Sequence, residues 1–173
     1  MTNANTDEFS VGKDEEPVSV SVESEPVFKR ILVPIDKSGG FKSKVILYGI
    51  KLAKALGSEI TVMHVIDGAG SSLEGKTEAN EDDYDGLKNQ AEKILHEAQL
   101  QGEKEGVRVA AELVTHAHSI GKAIIDSAKK KDIDLILLGS KGLVGSKGFL
   151  TWTFGSVANE VISYAHCPVL AVR

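Results

Sequence analysis

Leu135-Ile136-Leu137-Leu138-Gly139-Ser140-Lys141-Gly142-Leu143-Val144-Gly145-Ser146-Lys147-Gly148, followed shortly by Gly155-Ser156-Val157-Ala158-Asn159-Glu160-Val161-Ile162, is the stretch that decides how this chain folds. Four consecutive aliphatic residues make a short strand, and a strand with no polar alternation belongs in a sheet covered on both faces. The glycines after it let the backbone aim amide groups at one point with no Cβ in the way. A helix opening at Gly155-Ser156 offers further unpaired amides, so strand, loop and helix start together form an arrangement suited to phosphate. Ser156 would add a hydroxyl, and Lys141 and Lys147 positive charge. Glycine content alone also fits a surface loop leading into an ordinary capped helix.

Upstream the same alternation repeats. Ile31-Leu32-Val33-Pro34-Ile35 is an apolar run closed by Asp36, with Pro34 near the strand's end, where a missing ladder donor costs least. Ser43 is placed to cap a helix whose apolar positions Val45, Gly49, Leu52, Ala53 and Leu56 share one face, before Gly57 stops it. Ile60 to Ile66 reads as strand two, and Leu87, Ala91, Ile94, Leu95 and Ala98 as the buried stripe of a second helix. Val107 to Thr115 reads as strand three, residues 119–130 as helix three through Ala123, Ile124 and Ala128, and Leu135 to Leu138 as strand four. A fourth helix runs through Val157, Val161 and Ile162, and Pro168 to Arg173 closes the chain as strand five. Strands alternating with helices need crossover connections. The expected fold is therefore a single α/β domain, an open parallel five-stranded sheet with helices on both faces, Rossmann-like in plan. Ligands of such sheets bind at the carboxyl ends of the strands where the winding reverses, here just after strands one, two and four.

With 42% hydrophobic and 26% charged residues the chain falls among globular proteins. No apolar run approaches the roughly 20 residues that cross a bilayer, and Met1 to Ser10 lack the basic and apolar regions of a secretion signal, so cytoplasmic residence is expected. The net charge of −5 is concentrated at the start: residues 1–27 hold Asp7, Glu8, Asp14, Glu15, Glu16, Glu23 and Glu25 against Lys13 alone. These residues read as a flexible acidic tail ahead of a domain at 28–173, although the alternation of Val18-Ser19-Val20-Ser21-Val22 would suit an extra edge strand. The near-neutral remainder gives no footprint for nucleic acid. Cys167 stands alone and reads as a buried thiol.

Leu137 to Gly142, Gly155 to Ile162 and His166-Cys167-Pro168-Val169-Leu170-Ala171-Val172 together closely resemble the carboxyl-terminal signature of the universal stress protein family, and Val33-Pro34-Ile35-Asp36 resembles its opening. The resemblance covers about residues 29–173. It implies a sheet in the order 3-2-1-4-5, of the adenine nucleotide alpha hydrolase-like kind. It also implies a stress-response protein that binds rather than turns over its ligand, ATP, with or without Mg2+, in the nucleotide-binding branch. That branch's motif runs glycine, two residues, glycine, nine residues, then glycine and serine or threonine. Carried over, Gly139 and Gly142 take the first pair and Gly155 with Ser156 the last, with Leu138, Ser140, Lys141 and Val157 beside them. Pro34, Ile35 and Asp36 would lie near the adenosine end, with Asp36 an acceptor for ribose or adenine, and the backbone at Val65 would line the adenine slot. The resemblance further implies a homodimer through Pro168 to Arg173. One departure stands out: twelve residues separate Gly142 from Gly155, and Gly145-Ser146-Lys147-Gly148 repeats the earlier Gly-Ser-Lys-Gly. We read an insertion after Gly145, cheap in a surface loop but able to displace phosphate-facing amides. A nucleotide-free dimeric interaction module of the same fold is thus the competing class.

Other constellations are weaker. Gly70-Ser71-Ser72-Leu73-Glu74-Gly75-Lys76-Thr77 fits the Walker A pattern, but Glu78, Glu81, Asp82, Asp83 and Asp85 follow where a P-loop needs an apolar helix and no competing carboxylates. Ser38-Gly39-Gly40-Phe41-Lys42-Ser43 is similar to the loop of ATP pyrophosphatases, with Lys42 in place of an acid. His116 and His118 alternate without a third ligand and read as turn residues. Phe149, Trp152 and Phe154 either cover the nucleotide or anchor the helix start. No arrangement of serine or cysteine with histidine points to a nucleophilic enzyme.

Overall fold

The computed structural model describes residues 26–36, 43–67, 81–139 and 155–172. The Val18 to Val22 alternation, the Ser38 to Lys42 turn, the Walker-like segment Gly70 to Thr77 and the loop from Ser140 to Phe154 lie outside them. Within them strands and helices alternate as β1 (Arg30–Ile35), α1 (Lys44–Leu56), β2 (Glu59–Asp67), α2 (Glu81–Glu105), β3 (Val109–Ala117), α3 (Ile120–Lys130), β4 (Leu135–Gly139), α4 (Ser156–Tyr164) and β5 (Val169–Val172). The strands form one parallel sheet in the order β3-β2-β1-β4-β5.

Because successive strand residues point to opposite faces, the sheet divides its apolar residues between two cores. Ile31, Val33, Ile60, Val62, Leu135 and Leu137 meet Ile46, Ile50 and Ala53 of α1 and Ile94, Leu95 and Ala98 of α2. Leu32, Met63, Val65, Ile136 and Leu138 meet Ile124, Ile125 and Ala128 of α3 and Ala158 and Val161 of α4. At the amino ends of the strands the Asp134 carboxylate accepts the Lys29 amide at 2.8 Å and the Arg30 amide at 3.1 Å, pinning the entry of β1 to that of β4.

Several local details differ from the sequence reading. The third strand begins at Val109 and runs to Ala117; Val107 is buried ahead of it, its amide bonded to the Gly102 carbonyl as the chain leaves α2. The buried face of α1 is Ile46, Gly49, Ile50 and Ala53, with Val45 and Leu52 on its flank. Ser43 takes the N-cap position but makes no capping hydrogen bond with its side chain. Ile162 is 41% exposed, because α4 turns Ala158 and Val161 inward instead.

Candidate functional site

β1 is the central strand, with β2 and β3 on one side and β4 and β5 on the other, so the winding reverses between β1 and β4. The Lys29 carbonyl accepts the Glu59 amide at the start of β2, and the Arg30 carbonyl accepts the Asp134 amide on the β4 side. Alternate peptide groups of β1 therefore turn to alternate neighbours, and Pro34, sharing the parity of Arg30, faces β4. Proline has no N–H to donate there. The register follows this chemistry: β1 pairs with β2 along its whole length, from Arg30↔Glu59 to Ile35↔His64, but with β4 only at Ile31↔Leu135 and Leu32↔Ile136. Val33, Pro34 and Ile35 on one strand, and Leu137, Leu138 and Gly139 on the other, continue beyond the ladder at the point where the topology reverses.

The described members of the expected site lie at or near the ends of β1, β2 and β4 and at the start of α4. Pro34 is buried, Ile35 half-buried and Asp36 exposed at the end of β1. Val65 is buried in β2, opposite Val114 of β3. Leu138 is buried and Gly139 ends β4 in the open, where a Cβ would lie 3.1 Å from Val45 Cγ2 at the start of α1. Gly155 is the N-cap of α4, Ser156 its exposed first residue and Val157 half-buried behind it. No acidic side chain occupies the first turn of α4 to offset the positive end of its dipole. Nothing among the described residues lies within 4 Å of a Cβ built on Gly155, so no described neighbour demands glycine there. Ser140, Lys141, Gly142 and Gly145, and the aromatic residues Phe149, Trp152 and Phe154, lie outside the described residues.

Three features at this end of the molecule had little or no sequence signal. His116 is a strand residue at the end of β3, not in a turn, and it adopts a left-handed φ of 56°. Its ring stacks on Tyr84 of α2 with centroids 4.6 Å apart and planes 17° from parallel. The β2–β3 register shifts between Val65 and Asp67, an irregularity that accompanies this turn of the backbone. His64, 7% exposed, lies in β2 between Ile35 and Leu113. Ser119, the N-cap of α3, donates its hydroxyl proton to Glu160 of α4. No group of three metal-ligating side chains occurs among the described residues. Cys167 is half-buried just before β5; burial pushes its thiol pKa up, and the negative charge of Asp134 adds to the effect.

A parallel sheet in this order, with helices on both faces and its central ladder interrupted at the switch point, defines an open α/β domain of the kind whose ligands bind at the carboxyl ends of the strands. The chain belongs to the universal stress protein family, whose model matches residues 28–173. It is 30% identical to universal stress protein MJ0531 of Methanocaldococcus jannaschii over 158 residues, 90% of this chain and 88% of that one. To universal stress protein YxiE of Bacillus subtilis it is 32% identical, over 85% of this chain and 100% of the relative. Among solved structures, UspA from Lactobacillus plantarum superposes with a TM-score of 0.64 at 21% identity, covering 84% of this chain and 97% of that one. The universal stress protein from Archaeoglobus fulgidus in complex with dAMP gives 0.58 at 22% identity (85% and 99% covered), and a separate structure of a universal stress protein in complex with cAMP gives 0.58 at 20% (84% and 97%). At these identities the structural likeness establishes the fold. No helix among the described residues is long and apolar enough to cross a membrane.

Proposed function

We propose that this chain binds an adenine nucleotide, ATP with or without Mg2+, at the carboxyl ends of β1, β2 and β4, and acts as a stress-response regulator in the cytoplasm. The observation that carries the reading is the early end of the β1–β4 ladder at Pro34, which leaves the last three residues of each strand outside the ladder at the switch point. On this reading Pro34, Ile35, Asp36 and the Val65 backbone receive the adenosine. Leu138, Gly139, Ser140, Lys141, Gly142 and Gly145, with the Gly155-Ser156-Val157 turn, receive ribose and phosphates. The uncompensated helix start of α4 suits a polyanion, and an approaching phosphate supplies a reason for glycine at 155 that the described neighbours do not. The family structures holding dAMP and cAMP support an adenine ligand. Residues 1–27 act as an acidic tail to the domain that follows. The edge of β5 pairs two copies into a homodimer. Binding with at most slow ATP hydrolysis is the role that the family resemblance supports.

Thermal unfolding with and without nucleotide tests this. A ligand at about 100 times its Kd stabilises the native state by roughly 2.7 kcal/mol, several degrees for a domain of this size. A shift with ATP, and an adenine nucleotide in the mass spectrum of whatever leaves the purified protein on denaturation, is the expected result. No shift with ATP, ADP or AMP at millimolar concentration sinks it and leaves the second reading, a nucleotide-free dimer in which the longer Gly142 to Gly155 spacing closes the site.

A further inference from the structure

Glu160 lies one helical turn beyond Ser156 in α4. Its carboxylate is half-buried and accepts the Ser119 hydroxyl at 3.1 Å through Oε1 and 3.0 Å through Oε2. The same serine oxygen accepts the Lys122 amide at 3.2 Å and so caps α3. One hydroxyl thus spends its proton on α4 and a lone pair on α3. Beside it Gly121 is buried as the second residue of α3, and a Cβ there would collide with Glu160, meeting its Oε2, with Cδ at 2.6 Å and Cγ at 2.9 Å. Gly121 has no left-handed φ to account for it. Its missing side chain makes the seat in which Glu160 rests, and a carboxylate at the start of α3 is further favoured by that helix's dipole.

The buried side chains of α4 are apolar. The helix is nine residues long, its N-cap Gly155 has no side chain, and its buried residues are Ala158 and Val161, whose apolar packing resists sliding and rotation only weakly. A hydrogen-bonded carboxylate in a fitted seat defines both. We propose that Glu160, seated on Ser119 and Gly121, is a positioning residue that sets the height and rotation of the α4 N-terminus, so that the Ser156 and Val157 amides and the Ser156 hydroxyl converge on the ligand's phosphates. The inference rests on the nucleotide-binding reading above and adds to it the device that aligns its phosphate end. A displacement of a few tenths of an ångström matters there, because N–H···O bonds are confined to about 2.7–3.2 Å.

The test is titration calorimetry of the full chain with ATP, AMP and adenosine, for the wild type and for Glu160→Ala, Glu160→Gln, Gly121→Ala and Ser119→Ala. Glu160→Ala and Gly121→Ala should weaken ATP by about tenfold or more, AMP by less, and leave adenosine within about twofold, a pattern expected when one charge-assisted hydrogen bond governs alignment. Glu160→Gln keeps the shape and an acceptor for Ser119 and should restore most of the ATP affinity. A variant that is merely less stable lowers the melting temperature without changing the ratio of ATP to adenosine affinity. Equal weakening of all three ligands, or folded variants with unchanged ATP affinity, overturns the proposal. Should Glu160→Ala fail to fold, Glu160→Asp, which withdraws the carboxylate by one methylene, must show the same phosphate-dependent loss. A wild type that binds adenosine but not ATP overturns the alignment alone, whereas one that binds none of the three removes the reading beneath it.

Discussion

Gly49 of α1 approaches Val33 of β1 so closely that a Cβ on the glycine would stand 2.8 Å from Val33 Cγ2 and 3.0 Å from Ile60 Cδ1. Both neighbours are fully buried, so neither has room to withdraw. This contact lets α1 lie down on the strands that end at the site. Gly49→Ala gains up to about 1 kcal/mol of helix propensity but overpacks a closed core, at a cost of about 1–3 kcal/mol. A net loss is expected, read as a lower urea midpoint with an unchanged slope. Gly86 of α2 is the control: it is exposed, with no described atom within 4 Å of a Cβ, so Gly86→Ala should raise the midpoint.

The thiol of Cys167 should respond to pH later than an ordinary cysteine. Burial and the charge of Asp134 raise its pKa in the folded chain. Alkylation by iodoacetamide, which needs the thiolate, should therefore have its half-maximal rate above the pH found for the unfolded protein. The sign for stability follows by linkage: its contribution is complete below the unfolded thiol's pKa and falls as pH rises towards the folded value. Cys167→Ala should flatten that alkaline decline, modestly, because the group is only half-buried. A folded-state midpoint at or below the unfolded one contradicts this.

The two glycine-rich segments make opposite claims on the proposed nucleotide. With the site at the end of β4, Gly142→Val removes the thermal shift produced by ATP, and Lys76→Ala in the Walker-like segment leaves it intact. The reverse pattern would assign the phosphates to Gly70 to Thr77 and make the chain a P-loop NTPase.

Leu170 is 47% exposed on β5, which pairs only with β4 among the described strands. An apolar strand edge of this kind invites a second strand. Leu170→Glu should convert a dimer to a monomer in light scattering at micromolar protein, with little change in the melting temperature of the separated chain. A wild type already monomeric at that concentration removes the proposed homodimer.

Apolar runs such as Ile31–Ile35, Ile60–Ile66 and Leu135–Leu138 announce buried strands without help from the rest of the chain, because only a sheet covered on both faces accepts them. Their alternation with helical stripes determined the α/β class, and the glycine signature after strand four pointed to the family and to the end of the sheet proposed for the ligand. Helix faces need the tertiary structure. In α1 the sets Val45, Leu52, Leu56 and Ile46, Ile50 both satisfy helical spacing around Gly49 and Ala53, and only the lie of α1 on β1 and β4, close at Gly49 and Gly139, settles which set goes under. Val107 is as apolar as any strand residue, yet its amide closes the turn after α2.

At the site the division is sharper. A proline in strand one is visible in the sequence, but whether its missing donor faces β2 or β4 depends on which strand lies on each side, and that is a property of the assembled sheet. The stacking of His116 on Tyr84 joins residues 32 positions apart in number, and the Ser119–Glu160 bond spans 41. Local composition carries no trace of either, since periodicity reports only what a residue does within its own element. Side chains from separate elements meet by packing, and packing alone decided how the ends of β1, β4 and α4 are arranged.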